Sequence, residues 1–339
     1  MIVLGIESSC DETAAALVKD GNIILSSVIA SQTEIHHQYG GVVPEIASRM
    51  HINAIVPVID QALKDAGMSI EQIDGVAATR GPGLIGALLV GFSFAKAFAF
   101  ARGLNLVGVN HLEGHIYSSF LSEDCPEFPF ISLVASGGHT NIYHVDSHDH
   151  FELMGQTRDD AVGEAFDKVS KMLGFGYPGG SIIEELAKKG NPDKIKFPRT
   201  LLEKDSFDFS FSGIKSSVLR YITEHKNEIK DLIPDIAAGF QAAVIDVLTI
   251  KLIKACLKKK CTAIAITGGV SANDTFYKYL FDKALKYGFK IYVPKKEFCG
   301  DNAAMIAARG YRMLLNKNYS TFDHDVFSRN KINSTGIKK

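Results

Sequence analysis

The stretch IVLGIESSCDETAAALVKDGNIILSSVIA, residues 2–30, decides the fold. Its apolar runs IVLGIES, AAALV and NIILSSVIA are separated by the turn-forming segments CDET and Asp20–Gly21, which predicts three consecutive strands. A second stretch, FISLVASGGHTNIYHV at residues 130–145, places a Gly-Gly turn between two further strands. This repetition predicts two related α/β halves, each led by a hairpin.

Later segments fit this duplicated frame. Short apolar strands are predicted at GVAATR and LVGVN in the first half, and at AIAIT and KIYVP in the second. Helical periodicity predicts helices over residues 50–67 and 237–260. We place the boundary between the two halves near residues 122–129.

Composition limits the class of protein. The 339 residues suit about two domains. The net charge of -1 excludes a global basic surface, so a nucleic-acid site must be a local patch. The five cysteines form no C-x-x-C pair, which favours reduced thiols in a cytoplasmic protein. The opening MIVLGIESSCDE has no basic region or cleavage-like segment, so no targeting segment is expected. The apolar run at residues 83–101 contains Lys96 and several glycines, so a core helix is favoured over a membrane span.

The segment NHLEGHIYS, residues 110–118, carries His111 and His115 four positions apart. On a helix this spacing places both imidazoles on one face, where they can bind one divalent metal. A zinc-protease helix has its general base directly after the first histidine. Here Glu113 lies two positions on, and about 100° per residue turns it away from that face. A metal site is favoured over a protease; a surface helix with two unrelated histidines remains the alternative.

Four glycine-rich turns adjoin apolar segments: RGPG, ASGGHT, YPGG and TGGVSAN. Glycine lets successive backbone N–H groups turn toward an anion, and none of the four is a P-loop. Together they predict a nucleotide or phosphate site of another class. Asn273, at the end of TGGVSAN, could bind a ribose hydroxyl, cap the following helix, or do both.

Carboxylates are concentrated in three places. In RDDAVGEAFDKVSKMLG, a helix would put Asp160, Glu164 and Asp167 on one face. That acidic face could be a binding site or merely a solvated surface. Asp301, in CGDNAAMIA, is predicted to be an N-cap or a third metal ligand. The third group lies at the first hairpin turn, where it could order a water or a cation or only cap the turn: Glu7, Asp11 and Glu12.

Ten segments, in order, resemble one family over nearly the whole chain: LGIESSCDETAAALV, GGVVPEIASRMH, RGPGLIGALLVG, NHLEGHIYS, VASGGHT, RDDAVGEAFDKVSKMLG, YPGG, FSFSGIKSSV, GGVSAN and CGDNAAMIA. They are similar to the TsaD/Gcp family of tRNA N6-adenosine threonylcarbamoyltransferases, formerly described as O-sialoglycoprotein endopeptidases. The resemblance implies an α/β, two-lobed actin-like/sugar-kinase/Hsp70-like ATPase fold with a cleft between the lobes. The lobes would be an N-terminal lobe of residues 1–125, completed by about 300–330, and a C-terminal lobe of residues 126–299 with a helical insertion. It also implies transfer of threonylcarbamoyl from threonylcarbamoyl-AMP to N6 of the adenosine 3′ of the anticodon, in tRNAs that read codons beginning with A.

Site residues follow from the same resemblance. It implies one iron(II) or zinc ion held by His111, His115 and Asp301. The positions that it implies for the adenylate substrate are Val134, Ala135, Ser136, Gly137, Gly138, Asp167, Gly180 and Asn273. Glu184 stands where the family often has Asp, and its carboxylate keeps a ribose contact plausible. Asp11 and Glu12 are the candidate catalytic residues, because either carboxylate could accept the proton from the adenine amine.

Partners are implied as well. The family resemblance suggests tRNA, a TsaB-like paralogue and a TsaE-like ATPase in a bacterial-type complex, with no membrane. Candidate tRNA contacts, each equally compatible with an ordinary solvated surface, are Arg49, Lys168, Lys171 and Lys215. Three alternatives remain at this point: a metallopeptidase, a small-molecule kinase and a non-enzymatic scaffold on the same fold.

Overall fold

The computed structural model describes residues 1–203 and 205–329, and the chain divides into two compact units. The first unit comprises Met1–Cys125 and the returning segment that begins at Pro294. The second unit comprises Pro126–Val293. The limit expected for the returning segment, residue 330, lies outside the described residues.

A five-stranded sheet forms the centre of the first unit. Its strands are β1 (Ile2–Glu7), β2 (Glu12–Lys19), β3 (Ile23–Ser31), β4 (Gly75–Gly81) and β5 (Asn105–Asn110). Its helices are α1 (Thr33–His37), α2 (Pro44–Asp65), α3 (Ile85–Arg102), α4 (His111–Tyr117) and α10 (Ala303–Leu315). The strand order is β3-β2-β1-β4-β5, with β1–β3 antiparallel and β1, β4 and β5 parallel.

Both faces of this sheet are covered by helices, as parallel strands require. Leu4 and Ile6 of β1 face a core to which α2 and α3 contribute. Gly5, between them, faces α10, where a Cβ would lie 2.9 Å from the Cβ of Ala307. One turn beyond, a Cβ on Gly310 would overlap the Cβ of Ala77 on β4. The α10 helix therefore lies directly on the backbone of the sheet.

The second unit repeats this topology. Its strands are β6 (Phe130–Ala135), β7 (Thr140–Ser147), β8 (His150–Gln156), β9 (Ala263–Thr267) and β10 (Lys290–Tyr292). Its helices are α5 (Val162–Met172), α6 (Gly179–Ala187), α7 (Ser212–Glu224), α8 (Ile229–Lys259) and α9 (Asp274–Leu285). The strand order β8-β7-β6-β9-β10 has the same pairing directions as the first sheet. The duplication that the two hairpins predict is thus confirmed.

Two helices, α3 and α8, are long and apolar enough to cross a membrane, by length and composition alone. The apolar stretch of α8 is 83% buried within its unit, which is typical of a core helix. In α3, Leu88 and Phe92 are buried in the core, but Leu89 and Phe100 are 43% and 75% exposed. The α3 helix therefore contributes to the core, as predicted, but along one side only.

The contact between α10 and β4 predicts a large effect of one methyl group. We expect Gly310→Ala to destabilise the protein by about 1–3 kcal/mol, because the added Cβ must push α10 away from Ala77. Thermal unfolding of the full chain measures this. In the matched control Gly213→Ala, in α7, the nearest atom is Thr200 Oγ1 at 3.6 Å, and we expect no loss. Equal melting temperatures for the two variants would contradict the packing.

Candidate functional site

The two histidines are brought together by an abrupt change from strand to helix. Strand β5 ends at Asn110, whose side chain accepts a hydrogen bond from the backbone N–H of Leu112 at 2.9 Å and so caps α4. Helix α4 therefore begins at His111, and His115 follows one turn later, with ring centroids 4.6 Å apart. Both side chains are buried. The predicted shared helix face is confirmed, and the alternative of two unrelated surface histidines is wrong.

Asp301 reaches the same place from the returning segment. The N-cap of α10 is Asn302, whose Oδ1 accepts from the backbone N–H of Met305, so Asp301 is not the cap. Its Oδ1 lies 3.5 Å from Nε2 of His111 and 3.1 Å from Nε2 of His115. One ligand atom from each of the three residues fits within 4.8 Å, a spacing that can hold a metal ion.

His115 provides the test of whether these residues fit a metal. Both of its ring nitrogens are buried, and neither has a hydrogen-bond partner among the described residues. Its Nε2 faces Asp301 without the alignment of a hydrogen bond. A buried polar atom without a partner is unfavourable. A cation between the His115 imidazole and the Asp301 carboxylate would give Nε2 and the carboxylate oxygen a common partner.

Glu7 orients His111 through a contact with Nδ1, the ring nitrogen that does not face Asp301. Its Oε2 lies 3.0 Å from Nδ1 of His111 and accepts a hydrogen bond from Thr79 Oγ1 at 2.6 Å, while its Oε1 accepts from the backbone N–H of Ser9. A carboxylate on Nδ1 directs Nε2 toward the metal side. Burial opposes the charge on His111, but Asp301 and Glu7 outweigh it and raise the pKa of His111 to about 9. Sequence analysis missed this role of Glu7; its signal is the parallel order of β1, β4 and β5, whose carboxyl ends meet at one edge.

Asp11 and Glu12 lie at the tip of the first hairpin in the same unit. Asp11 is buried, and Glu12 opens β2 and accepts a hydrogen bond from Ser31 Oγ. Burial, the charges of Asp11 and Asp301, and a hydrogen bond with Asp11 raise the pKa of Glu12 to about 10. Glu12 therefore retains its proton at neutral pH.

Glu113 has a structural role. Its Oε2 accepts a hydrogen bond from Arg309 Nε at 2.6 Å, and both side chains are largely buried. This ion pair joins α4 to α10, and it engages the carboxylate that a metallopeptidase would need as its general base. The expectation that Glu113 points away from the histidine face agrees with this contact.

The glycine turns of the second unit form a separate cluster. In the turn after β6, the backbone N–H of Ser136 donates to the carbonyl of His139 at 2.8 Å. A Cβ on Gly163, in the first turn of α5, would lie 2.6 Å from the carbonyl oxygen of Ser136. Gly268, after β9, has a φ of +86°, and a Cβ there would collide with Ala135. The turns after β6 and β9 and the start of α5 are therefore in direct contact.

Three predicted binding residues of the second unit accept hydrogen bonds from backbone amides, and a fourth, Gly180, adjoins one of those amides. Asp167 Oδ1 accepts from the N–H of Gly179 at 2.7 Å, next to Gly180 at the start of α6. Glu184 Oε1 accepts from the N–H of Asp274 at 2.9 Å, next to Asn273. Asn273 caps α9, as one of its two predicted roles required.

Gln241 is a buried residue that sequence analysis missed. Its Oε1 accepts a hydrogen bond from Nδ2 of Asn273 at 2.9 Å, which fixes the orientation of the Asn273 amide. It lies in the middle of α8, where its sequence context gives no sign of this contact.

The predicted acidic face of α5 is wrong for Asp160. This residue precedes α5, which begins at Val162, and its carboxylate binds Lys168 at 2.7 Å and Lys215 at 2.6 Å. The preceding Asp159 caps the start of α7 by accepting from the N–H of Phe211. Of the acidic residues in this stretch, Asp167 is the one that reaches the α6 turn.

Known proteins resemble both the sequence and the fold. A profile of the family described as "TsaD: tRNA N6-adenosine threonylcarbamoyltransferase" matches residues 23–308. A protein of that name from Desulforapulum autotrophicum is 62% identical over 331 residues, covering 98% of this chain and 99% of its own. Another of that name, from Syntrophus aciditrophicus, is 54% identical and covers 94% of each chain.

Solved structures are similar in fold alone. Full-length HypF in its phosphate- and nucleotide-bound form has a TM-score of 0.63 and 15% identity, covering 94% of this chain and 56% of its own. Component A of the (R)-2-hydroxyglutaryl-CoA dehydratase of Acidaminococcus fermentans has a TM-score of 0.54 and 17% identity, covering 93% and 99%.

These likenesses, with the duplicated sheets, place the chain in the class of α/β proteins with the two-lobed, actin-like ATPase fold, as expected. Within that class, the family profile and the two relatives define its place. The chain belongs to the family of tRNA N6-adenosine threonylcarbamoyltransferases.

The His111, His115 and Asp301 side chains predict that specific variants lose a bound metal ion. We expect protein purified without oxygen to contain about one divalent ion per chain, and His115→Ala and Asp301→Ala to lose it, because each removes one of three ligands. Elemental analysis measures the stoichiometry. The control His150→Ala removes an exposed histidine paired with Asp146 and leaves the metal in place. Retention of a full equivalent by His115→Ala would remove that residue from the ligand set.

Proposed function

We propose that this protein transfers the threonylcarbamoyl group from threonylcarbamoyl-AMP to N6 of the adenosine 3′ of the anticodon, in tRNAs that read codons beginning with A. The observation that carries the proposal is the 62% identity over 331 residues to a protein named for this reaction. The protein would act in tRNA modification in the cytoplasm. Its two functional lobes would be residues 1–125 with about 300–330, and residues 126–299.

His111, His115 and Asp301 would hold one iron(II) or zinc ion, and the buried Nε2 of His115, which lies 3.1 Å from Asp301 without a hydrogen bond, supports this assignment. Such an ion, when bound, supplies charge neutralisation at the oxygens of a reacting acyl phosphate. Glu7 would fix the tautomer of His111 by accepting at Nδ1, as the 3.0 Å contact indicates.

The turn cluster of the second unit would bind the adenylate part of the substrate. A Cβ added at Gly137 or Gly138 would meet no atom within 4 Å, so a phosphate can approach the turn from the side where that Cβ would lie. Gly180 is similarly open. The residues of this proposed site are Val134, Ala135, Ser136, Gly137, Gly138, Asp167, Gly180, Glu184 and Asn273.

The reaction needs no covalent protein intermediate. The adenine N6 attacks the carbamoyl carbon, the bond from that carbon to the phosphate oxygen breaks, and AMP leaves with the electron pair. N6 loses one proton, for which Asp11 and Glu12 are the proposed acceptors, Glu12 in its ionised form. Positioning of the amine against the carbonyl supplies much of the remaining rate.

The proposal predicts a graded loss of transfer. With labelled threonylcarbamoyl-AMP, tRNA and partner proteins, we expect His111→Ala to lose more than about a hundredfold in rate, since a metal ligand is removed. Glu7→Gln should lose about 10- to 100-fold, because it keeps shape but weakens the orienting contact. The control His150→Ala should match wild type.

Labelled nucleoside in hydrolysed tRNA is the measurement. No labelled nucleoside from wild type with all partners would overturn the function. Cleavage of a glycoprotein substrate, or phosphoryl transfer to a small acceptor, would favour the peptidase or the kinase instead.

A paralogous TsaB-like partner and a TsaE-like ATPase are proposed to complete the active complex. An exposed apolar patch supports docking of the paralogue. The α2 and α3 helices touch where Gly86 meets Ser48, and both continue with uncovered aliphatic side chains. We define the α2–α3 patch as Ile52, Val56, Ile85 and Leu89, each between 42% and 62% exposed. Adjacent exposed aliphatic side chains of this kind are typical of protein interfaces.

The patch predicts a disrupted complex. We expect Ile52→Glu with Leu89→Glu to abolish co-elution with the paralogue, because two charges would be buried at the interface. Size-exclusion chromatography measures this. Leu285→Glu, on the exposed face of α9 in the other unit, should leave the complex intact. Co-elution of the double variant at the wild-type position would contradict the assignment of the patch.

A further inference from the structure

A groove on the second unit is lined by none of the site residues assigned above. It has a volume of about 660 Å³ and is formed by the segment before α7 and by the outer side of α7. Its lining residues are Lys196, Phe197, Pro198, Gly213, Ser216, Ser217 and Arg220. None of them is acidic, and two are cations.

The two cations are exposed and unpaired. Among the described residues, neither the side chain of Lys196 nor that of Arg220 has a hydrogen bond or an ion pair. Their neighbours in sequence behave differently, since Lys194 pairs with Asp235 at 2.5 Å and Arg199 pairs with Asp246 at 3.0 Å. In a chain with a net charge of -1, two unneutralised cations on one groove are a local anion-binding feature.

The basic residues that sequence analysis suggested for tRNA are mostly neutralised. Lys168 and Lys215 bind Asp160, and Arg49 pairs with Glu45 at 2.7 Å. Of the four, Lys171 alone is exposed without a described ion pair. Lys196 and Arg220 therefore offer charge to a partner where Lys168, Lys215 and Arg49 do not.

Groove chemistry favours a phosphodiester chain over a single base. The hydroxyl of Ser217 has no described hydrogen bond, so it can donate to a phosphate oxygen. Phe197 is almost fully buried, so its ring offers no face on which a base could stack. The volume exceeds what one phosphate fills and suits a stretch of backbone.

The start of α7 adds no anion site of its own. Its first amides are occupied, because Asp159 accepts from the N–H groups of Phe211 and Ser212. The attraction for an anion comes from the side chains of Lys196 and Arg220.

We propose that this groove binds the phosphodiester backbone of the acceptor tRNA, with Lys196 and Arg220 contacting phosphates and Ser217 donating a hydrogen bond. The inference rests on the proposed function for the identity of the RNA. Contacts of this kind position the RNA and carry no sequence information.

Binding of tRNA to the full chain at several salt concentrations tests the groove. Lys196→Ala with Arg220→Ala should weaken binding roughly tenfold at about 0.1 M salt and reduce the slope of log affinity against log salt by about 2. A tRNA without the acceptor adenosine should show the same loss. The control Lys278→Ala with Lys286→Ala removes the same charge from an exposed position of α9 and from the exposed residue directly after it, and should leave the slope unchanged.

An unchanged slope in the groove variant, or an equal loss in the control, would overturn the proposal. Inorganic phosphate is a second probe: a groove that binds free phosphate while tRNA affinity is unaffected by the double variant would also overturn it. The single variant Arg220→Lys, which keeps the charge, should retain most of the wild-type affinity for tRNA. Thermal unfolding of each variant separates loss of binding from loss of folding.

Transfer kinetics separate this inference from the proposed function. The groove variant should raise KM for tRNA with kcat unchanged at saturating tRNA, since the groove lies outside the reacting groups. If wild type transfers and the variant has the same KM, the groove is wrong and the function stands. If wild type binds tRNA through the groove but never transfers, the function is wrong and the groove stands.

Discussion

The first unit depends on the direct contact between α10 and the backbone of the central sheet. Gly5 and Gly310 remove the side chains that would hold the two apart, and α10 therefore lies on β1 and β4. This contact determines where the residue before α10 lies. Asp301, just before α10, is held 3.1 Å from a histidine that lies 186 positions earlier in the chain. The Glu113–Arg309 pair joins α4 to α10 and fixes the same spacing from the other side.

This packing concentrates ionisable groups in one buried region. Glu7, Asp301, Asp11 and Glu12 are carboxyl groups near two imidazoles, and burial there disfavours uncompensated negative charge. The proton retained by Glu12, whose pKa is raised to about 10, provides part of the compensation. A divalent cation among His111, His115 and Asp301 would provide it directly, which is the electrostatic reason for assigning a metal to these residues.

Sequence analysis predicted the elements whose cause is local. The duplicated hairpins, the His111–His115 face and the cap by Asn273 follow from spacing within a few residues. Contacts between distant segments were harder to predict. Glu7 and Gln241 act on residues more than 30 positions away, and Asp160 was placed on a helix that begins two residues later. The neutralisation of Lys168 and Lys215 by Asp160 likewise depends on the tertiary placement of α7.

The central claim is that a metal on His111, His115 and Asp301 serves threonylcarbamoyl transfer to tRNA. The most direct measurement is the single-turnover transfer rate of chelator-treated protein, in its complex, before and after one equivalent of iron(II) or zinc is returned. The account predicts a low rate without metal, recovery on re-addition, and unchanged circular dichroism throughout. A full rate in verified metal-free protein would contradict it.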